Sequence, residues 1–196
     1  LLPQLHKLGD KLELIHQDFL QTDLSEFHNY SVVANIPYYI TSPILRKLLA
    51  AAQRPHSITA LVQKEVAERI VATPGNMSIL ALSVQYYGRP KLVRVVPADS
   101  FVPAPQVDSA ILHIEVYGQP VFAADERQLF RLMKAGFGEK RKMLRNALSG
   151  GLQLTPSQVA THLESAYIAP DRRAQELSLA DWQRLYNELT PVMTTG

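Results

Sequence analysis

The chain has no cysteine. Disulfides and thiolate metal sites are thereby excluded, and the composition suits a reducing compartment. Histidines are few and scattered: His6, His16, His28, His56, His113 and His162 fall at no metal-ligand spacing, so no metal is expected. Long apolar runs are also missing. Each is soon broken by Ser, Gln or Arg, so no segment is expected to span a membrane. No basic leader or signal peptide has to be set aside before the fold is read. The net charge is only +2, which leaves the whole-chain field weak.

What is present suits one domain, or one with a small appendage, since 196 residues at 46% hydrophobic content supply a core. Charge is unevenly spread. "KAGFGEKRKMLRNAL" collects Lys134, Lys140, Arg141, Lys142 and Arg145 against Glu139 alone, and such a patch binds phosphates even on a nearly neutral protein.

The front of the chain alternates strand and helix patterns. "KLELIHQD" (11–18), "SVVANI" (31–36), "SITALVQ" (57–63), "KLVRVVP" (91–97) and "SAILHIEV" (109–116) read as strands. Between them, "SPILRKLLAAA" reads as a helix with Ser42 as N-cap and Pro43 at its first position. "KEVAERIVA" (64–72) reads as a charged amphipathic helix, and "SILALSVQYYG" as a buried one closed by Gly88. "PGN" at 74–76 marks a loop. Interleaved strands and helices predict an α/β sheet. Beyond "YGQPVFAAD" (117–125) only helical patterns remain, at 125–137, 139–149, 156–163 and 179–189. Gly150-Gly151 and Pro170 are the expected breaks. A boundary is placed near 118–123, giving a sheet-bearing portion over 1–120 and a small all-α domain over 121–196.

The stretch "VVANIPYYITSP" concentrates the chemistry. On spacing alone Asn35 and Pro37 are strand punctuation. The same residues also fit a site for a flat, amino-bearing ring. An exocyclic amine is a poor nucleophile until it loses conjugation, and the positive charge that then develops needs acceptors. The Asn35 side-chain oxygen supplies one. The Pro37 carbonyl, in a backbone stiffened by the proline ring, supplies another. Tyr38 offers a stacking face for a base taken out of its helix. No general base is required when acceptors are preorganised.

These residues, with "LVQKEVAERI" (61–70), "FVPAPQVDSA" (101–110), "FGEKRKMLRNAL" (137–148) and "RRAQELSLADWQRL" (172–185), resemble the small-subunit (16S) ribosomal RNA adenine dimethyltransferases. The matches lie in the family's order and cover almost the whole chain. The resemblance implies a Rossmann-like class I methyltransferase sheet, whose N-terminal strands are not in this chain, followed by the small helical domain. It implies dimethylation at N6 of two adjacent adenosines with S-adenosylmethionine as donor, in the cytoplasm, during ribosome biogenesis. Small-subunit RNA or an immature subunit would be the partner, with the full-length protein monomeric and no membrane or metal involved. By the same resemblance Asn35 and the Pro37 carbonyl would contact the target amine, with Tyr38 and Phe101 as aromatic walls around the base. Asp18, Phe19 and Asn35 would face the cofactor. Lys64, Arg69, Lys140, Arg141, Lys142 and Arg145 would contact RNA.

Plainer readings stand beside these. Asp18 also suits a turn cap, Phe101 a core residue, and the basic segment a solvated helix face on which Arg141 and Arg145 share a side. Lys64 and Arg69 suit ion pairs with Glu65 or Glu68. Two other functions fit the motifs: a large-subunit methyltransferase of the macrolide-resistance type, and a non-catalytic RNA-binding assembly factor. The chain opens on Leu1 rather than Met. The family's glycine-rich cofactor loop and ribose-binding acid are expected upstream of it, and "MSIL" at 77–80 replaces a Tyr-Gly pair common in the family. The strand at 11–18 would then be separated from that at 31–36 by strands preceding Leu1. The expectation is a slot filled by upstream residues, a repositioned first strand or a partner chain, and poor cofactor binding by the 196 residues alone.

Overall fold

Pairing decides which alternating stretches become strands. The computed structural model describes residues 11–139 and 141–193. Its sheet has the order β1-β2-β4-β3, from β1 (Ser31–Asn35), β2 (Ser57–Gln63), β3 (Gly88–Val96) and β4 (Ser109–Val116). β1 and β2 are parallel, and β4 is antiparallel to both β2 and β3. Helix α1 (Thr41–Leu49) connects β1 to β2, while α2 (Lys64–Ile70) and α3 (Ile79–Tyr87) connect β2 to β3. Four helices follow β4: α4 (Glu126–Phe137), α5 (Leu144–Leu152), α6 (Pro156–Ser165) and α7 (Leu179–Met193). No helix among the described residues is long and apolar enough to cross a membrane.

Register sets the core face. Ile58, Ala60 and Val62 of β2 oppose Ile114, Leu112 and Ala110 of β4, and all six are buried. They share one core with Leu45 and Leu48 of α1, Ile70 of α2 and Leu82 of α3. The other face is mixed: Leu61 opposes Ile111, while Thr59 Oγ1 and His113 Nδ1 are hydrogen-bonded at 2.9 Å. Pro90 is tolerated in β3 because that strand is at the edge and pairs only with β4.

Several local readings are corrected. Residues 11–18 form no strand; among the described residues their alternation has no neighbouring strand to complete a ladder, and Leu14 and Ile15 are exposed. Ser42 is not the N-cap of α1, which starts one residue earlier, directly after a 3-10 turn over Tyr38–Ile40. Gly88 does close α3 as expected, its N–H donating to the Val84 carbonyl, but without a left-handed conformation. It is extended and opens β3, where a Cβ would lie 2.6 Å from the Glu115 carbonyl oxygen. The expected helix over 139–149 begins only at Leu144, so Arg141 and Arg145 do not share a helical face. Gly150 and Gly151 lie inside α5 rather than ending it. A Cβ on Gly151 would sit 2.5 Å from Ala135 Cβ, so this glycine lets α4 and α5 approach.

The helices after β4 pack around Trp182, which is fully buried and stacked on Phe137 at 5.9 Å. They join the sheet portion through aromatic and backbone contacts. Tyr86 donates to the Phe122 carbonyl at 3.1 Å, and Gly75 and Met77 both donate N–H bonds to the Gln175 carbonyl. The "RRAQELSLADWQRL" segment fastens α7. Ser178 donates from its N–H and hydroxyl to Asp181 Oδ2, and Asp181 N–H donates back to Ser178 Oγ. Burial opposes the charge on Asp181, but the Ser178 bonds and the Arg184 and Arg172 guanidiniums outweigh it and hold the carboxyl below its usual range. A depressed folded pKa stabilises above the ordinary carboxylate value and is lost as pH falls through the lowered one. Asp181→Asn is therefore expected to cost about 1 kcal/mol at neutral pH, and the gap to close in acid. Denaturant titrations at pH 7 and below pH 3.8 check this; an unchanged gap would refute it.

Candidate active site

Because β1 and β2 are parallel, their carboxyl ends share one edge of the sheet, the edge at which open α/β sheets place ligands. Asn35 is the last residue of β1, and Lys64 directly follows β2. Ser109 pairs with both Gln63 and Val96, so the start of β4 and the end of β3 reach the same edge. Residues 35–38, 64 and 97–109 are thus brought together from distant parts of the sequence.

Alternation does the first positioning. Ile36 turns inward and is 2% exposed, while Asn35 remains exposed beside it. The Ile36 N–H still reaches the Leu61 carbonyl at 3.3 Å, after which Pro37 ends the ladder with φ −57°. The Pro37 carbonyl accepts from Ile40 N–H at 3.1 Å and keeps a second lone pair. Tyr38 is half-buried. Its hydroxyl is hydrogen-bonded to Ser109 Oγ at 2.6 Å, and its carbonyl accepts from Thr41 Oγ1 at 3.2 Å. The side chain is therefore anchored to β4 through its hydroxyl, and the backbone of the same residue to the first residue of α1.

Phe101 is half-buried in the loop between β3 and β4. Asp108 ties that loop to the edge: its side chain accepts from Ala98 N–H at 3.1 Å, and its carbonyl from Lys64 N–H at 3.0 Å. Asp108 and Ser109 escaped the sequence reading as individual residues. The available signal was "VDSA", a polar pair at the mouth of an otherwise apolar strand.

Tyr38→Phe is expected to leave the Ser109 hydroxyl buried without its partner, at a cost of about 1–3 kcal/mol. Adding Ser109→Ala to that variant should recover part of the loss. A double-mutant cycle by thermal denaturation measures the coupling, and strict additivity would show that the bond does not hold the loop.

Asp18 does cap a turn: its Oδ1 accepts from Leu20 N–H at 2.9 Å at the start of the 3-10 turn Phe19–Gln21. That turn is docked on α1 by Lys47, which donates to the Leu20 carbonyl at 2.7 Å and lies 5.8 Å from the Phe19 ring centroid. No hydrogen bond among the described residues joins Asp18 or Phe19 to residues 35–38. Lys64 pairs with Glu68 at 3.9 Å, and Lys142 with Glu139 at 2.7 Å. Arg141 is exposed in a turn, Arg145 is half-buried in the first turn of α5, and Lys140 lies outside the described residues. Arg69 is exposed and lines a cleft of about 700 Å³ between α1, α3 and α4. In that cleft burial, then the neighbouring Glu126, pushes the Tyr87 hydroxyl far above the ordinary tyrosine range, and Arg54 covers its ring at 4.9 Å.

Residues 1–191 match the family described as ribosomal RNA adenine dimethylase. The chain belongs to that family. Among its relatives, the "Ribosomal RNA small subunit methyltransferase A" of Dehalococcoides mccartyi (strain CBDB1) is 46% identical over 177 residues, covering 88% of this chain and 61% of that protein. The protein of the same name from Alkaliphilus metalliredigens is 37% identical over 197 positions, covering 94% of this chain and 69% of its own. The chain spans about three fifths of the length of the first of these relatives. A dimethyladenosine transferase from Plasmodium falciparum superposes with a TM-score of 0.81 at 24% identity, covering 96% of this chain and 76% of that one. The 23S rRNA methyltransferase ErmE superposes at 0.70 and 25% identity, covering 94% and 75%. The architecture is therefore that of a Rossmann-like methyltransferase fold. The edge formed by β1, β2 and the start of β4 is the part of it that carries the family's Asn-Ile-Pro-Tyr residues.

Proposed function

We propose that the protein transfers methyl groups from S-adenosylmethionine to N6 of two adjacent adenosines in small-subunit ribosomal RNA. It does so in the cytoplasm, as a monomer and during subunit assembly. The observation that carries this reading is the Asn35 side chain, exposed at the carboxyl edge of the sheet and followed within three residues by buried Ile36 and a Tyr38 hydroxyl held by Ser109. Asn35 and the free lone pair of the Pro37 carbonyl accept from the target amine and stabilise the positive charge it develops. Tyr38 and Phe101 hold the base by its faces, which aligns the amine for displacement. Bound S-adenosylmethionine supplies an electrophilic methyl group on a sulfonium. Asp18 fits a role toward it chemically, because capping engages only one carboxylate oxygen and leaves the other exposed. Phe19 lies beside it and Asn35 faces the same ligand. In this reading residues 1–120 carry the chemistry and residues 121–196 form an RNA-binding unit. Lys64, Arg69, Lys140, Arg141, Lys142 and Arg145 contact phosphates.

The likeness to ErmE favours one second reading, methylation of large-subunit RNA. The relatives at 37–46% identity carry small-subunit names and favour the first. Transfer of labelled methyl groups from S-adenosylmethionine to each purified ribosomal RNA, with the modified bases mapped by primer-extension stops, separates them. Stops at paired adenosines in small-subunit RNA are the expected result. Stops only in large-subunit RNA, or none in either, would overturn it.

A further inference from the structure

Away from the Asn35 loop, a groove of about 720 Å³ runs between α4 and α5. Arg127, Arg131 and Lys134 stand on its α4 side at i, i+4 and i+7, so the three share one rim, and all are exposed. The floor is smooth, because Gly151 lets α5 lie against Ala135. Two acids also line the groove, and each is already engaged by another cation: Glu126 with Arg54 at 3.8 Å, and Glu139 with Lys142 at 2.7 Å. Among the described residues the three rim cations have no ion-pair partner. A solvated helix face normally interleaves signs along its length. This rim does not.

We propose that the groove holds a stretch of RNA backbone, with phosphates on Arg127, Arg131 and Lys134, and leads that strand toward Asn35–Tyr38. The inference rests on the RNA methyltransferase reading and adds to it a contact surface outside the basic 140–145 segment. Helical rise spaces Arg127 and Arg131 by about 6 Å and Arg131 and Lys134 by about 4.5 Å along α4, which long side chains adapt to successive phosphates on an extended strand. Lys134 and half-buried Phe130 also line the neighbouring cleft, which continues past Arg69 and Arg46 to Ser42 in the first turn of α1. A concave path lined by cations therefore joins the groove to the helix that follows Tyr38, and Phe130 offers a base a stacking face along it. A lipid surface fits less well, since none of the exposed large apolar side chains lies on α4 or α5.

The test is equilibrium binding of the intact protein to small-subunit ribosomal RNA, without methyl donor, over a range of salt. R127A/R131A/K134A replaces exposed helical positions with the best helix former, and its circular dichroism melt should match the wild type. Its affinity is expected to fall about 10- to 100-fold at moderate salt, and its log–log salt slope by about 2, one increment of about 0.7 per lost contact. R127K/R131K keeps the charges and should keep most of the affinity. Unchanged affinity and slope in the alanine variant, with wild-type methyl transfer intact, would overturn the groove alone. If the wild type neither binds nor methylates ribosomal RNA, the enzyme reading fails and takes the groove with it. If the alanine variant keeps RNA affinity but loses binding to phosphatidylglycerol vesicles, the surface serves a membrane and the RNA assignment falls.

Discussion

Asn35→Ala in the full-length protein is expected to lower methyl transfer by about 10²–10³-fold, equivalent to about 3–4 kcal/mol of transition-state stabilisation. RNA affinity should stay close to wild type. The split follows from where the residue sits. Asn35 ends β1 with its side chain exposed, so it contributes little to the core, while buried Ile36 and the Ile36–Leu61 bond keep the local backbone in place without it. An uncharged amide releases no counterion, so the salt-dependent part of RNA binding rests on cationic residues elsewhere. What is lost is an acceptor held ready for a charge that exists only as the amine reacts. Single-turnover assays at saturating RNA, beside equilibrium binding, check the two halves separately. Turnover at the wild-type rate would remove Asn35 from the chemistry, and a parallel loss of RNA affinity would recast it as a binding residue.

The largest structural effect is expected at Trp182. Its side chain is fully buried, stacks on Phe137 at an interplanar angle of 23°, and fills the space that Gly136 leaves open; a Cβ there would lie 2.6 Å from Trp182 Cη2. Trp182→Ala removes an aromatic from the centre of the four-helix portion and should cost about 3–5 kcal/mol. Trp182→Phe should cost less than half as much. It keeps a ring against Phe137, and it also removes a buried indole N–H that has no hydrogen-bond partner among the described residues. Far-ultraviolet circular dichroism in denaturant measures both variants, since the chain's single tryptophan is lost as a fluorescent probe. An alanine variant within about 1 kcal/mol of wild type would show that the helices close over the cavity.

Much of the fold was legible because local pattern and tertiary demand agree. β-branched and alternating runs over 57–63 and 109–116 became strands with the expected limits, since each meets a partner edge and buries one face. The Asn-Ile-Pro-Tyr residues read on spacing alone as strand punctuation, and the structure bears that part out: Asn35 is the last residue of β1 and Pro37 follows it into a 3-10 turn. Where local pattern and context part, the sequence misled. Residues 11–18 alternate as a strand should, yet a strand exists only with a neighbour, and no local periodicity reports one. Gly150 and Gly151 have the composition of a helix break, yet α5 runs through both; the close approach of Gly151 to Ala135, a packing contact between helices, offsets the low helix propensity at that position.

By itself, then, the sequence determined the α/β alternation, the helical character of the last third, and the chemical identity of the residues at 35–38, all encoded in short-range pattern and side-chain type. Tertiary structure alone decided that Tyr38 is held by Ser109, 71 positions away, and that Asp108 binds the Phe101 loop to Lys64. It also decided that Arg127, Arg131 and Lys134 form a rim with no ion-pair partner among the described residues, because the two acids that line the groove with them are engaged by Arg54 and Lys142. Each of these depends on which edges and faces meet in space, and strand register and helix contact are long-range quantities that no window of neighbouring residues contains.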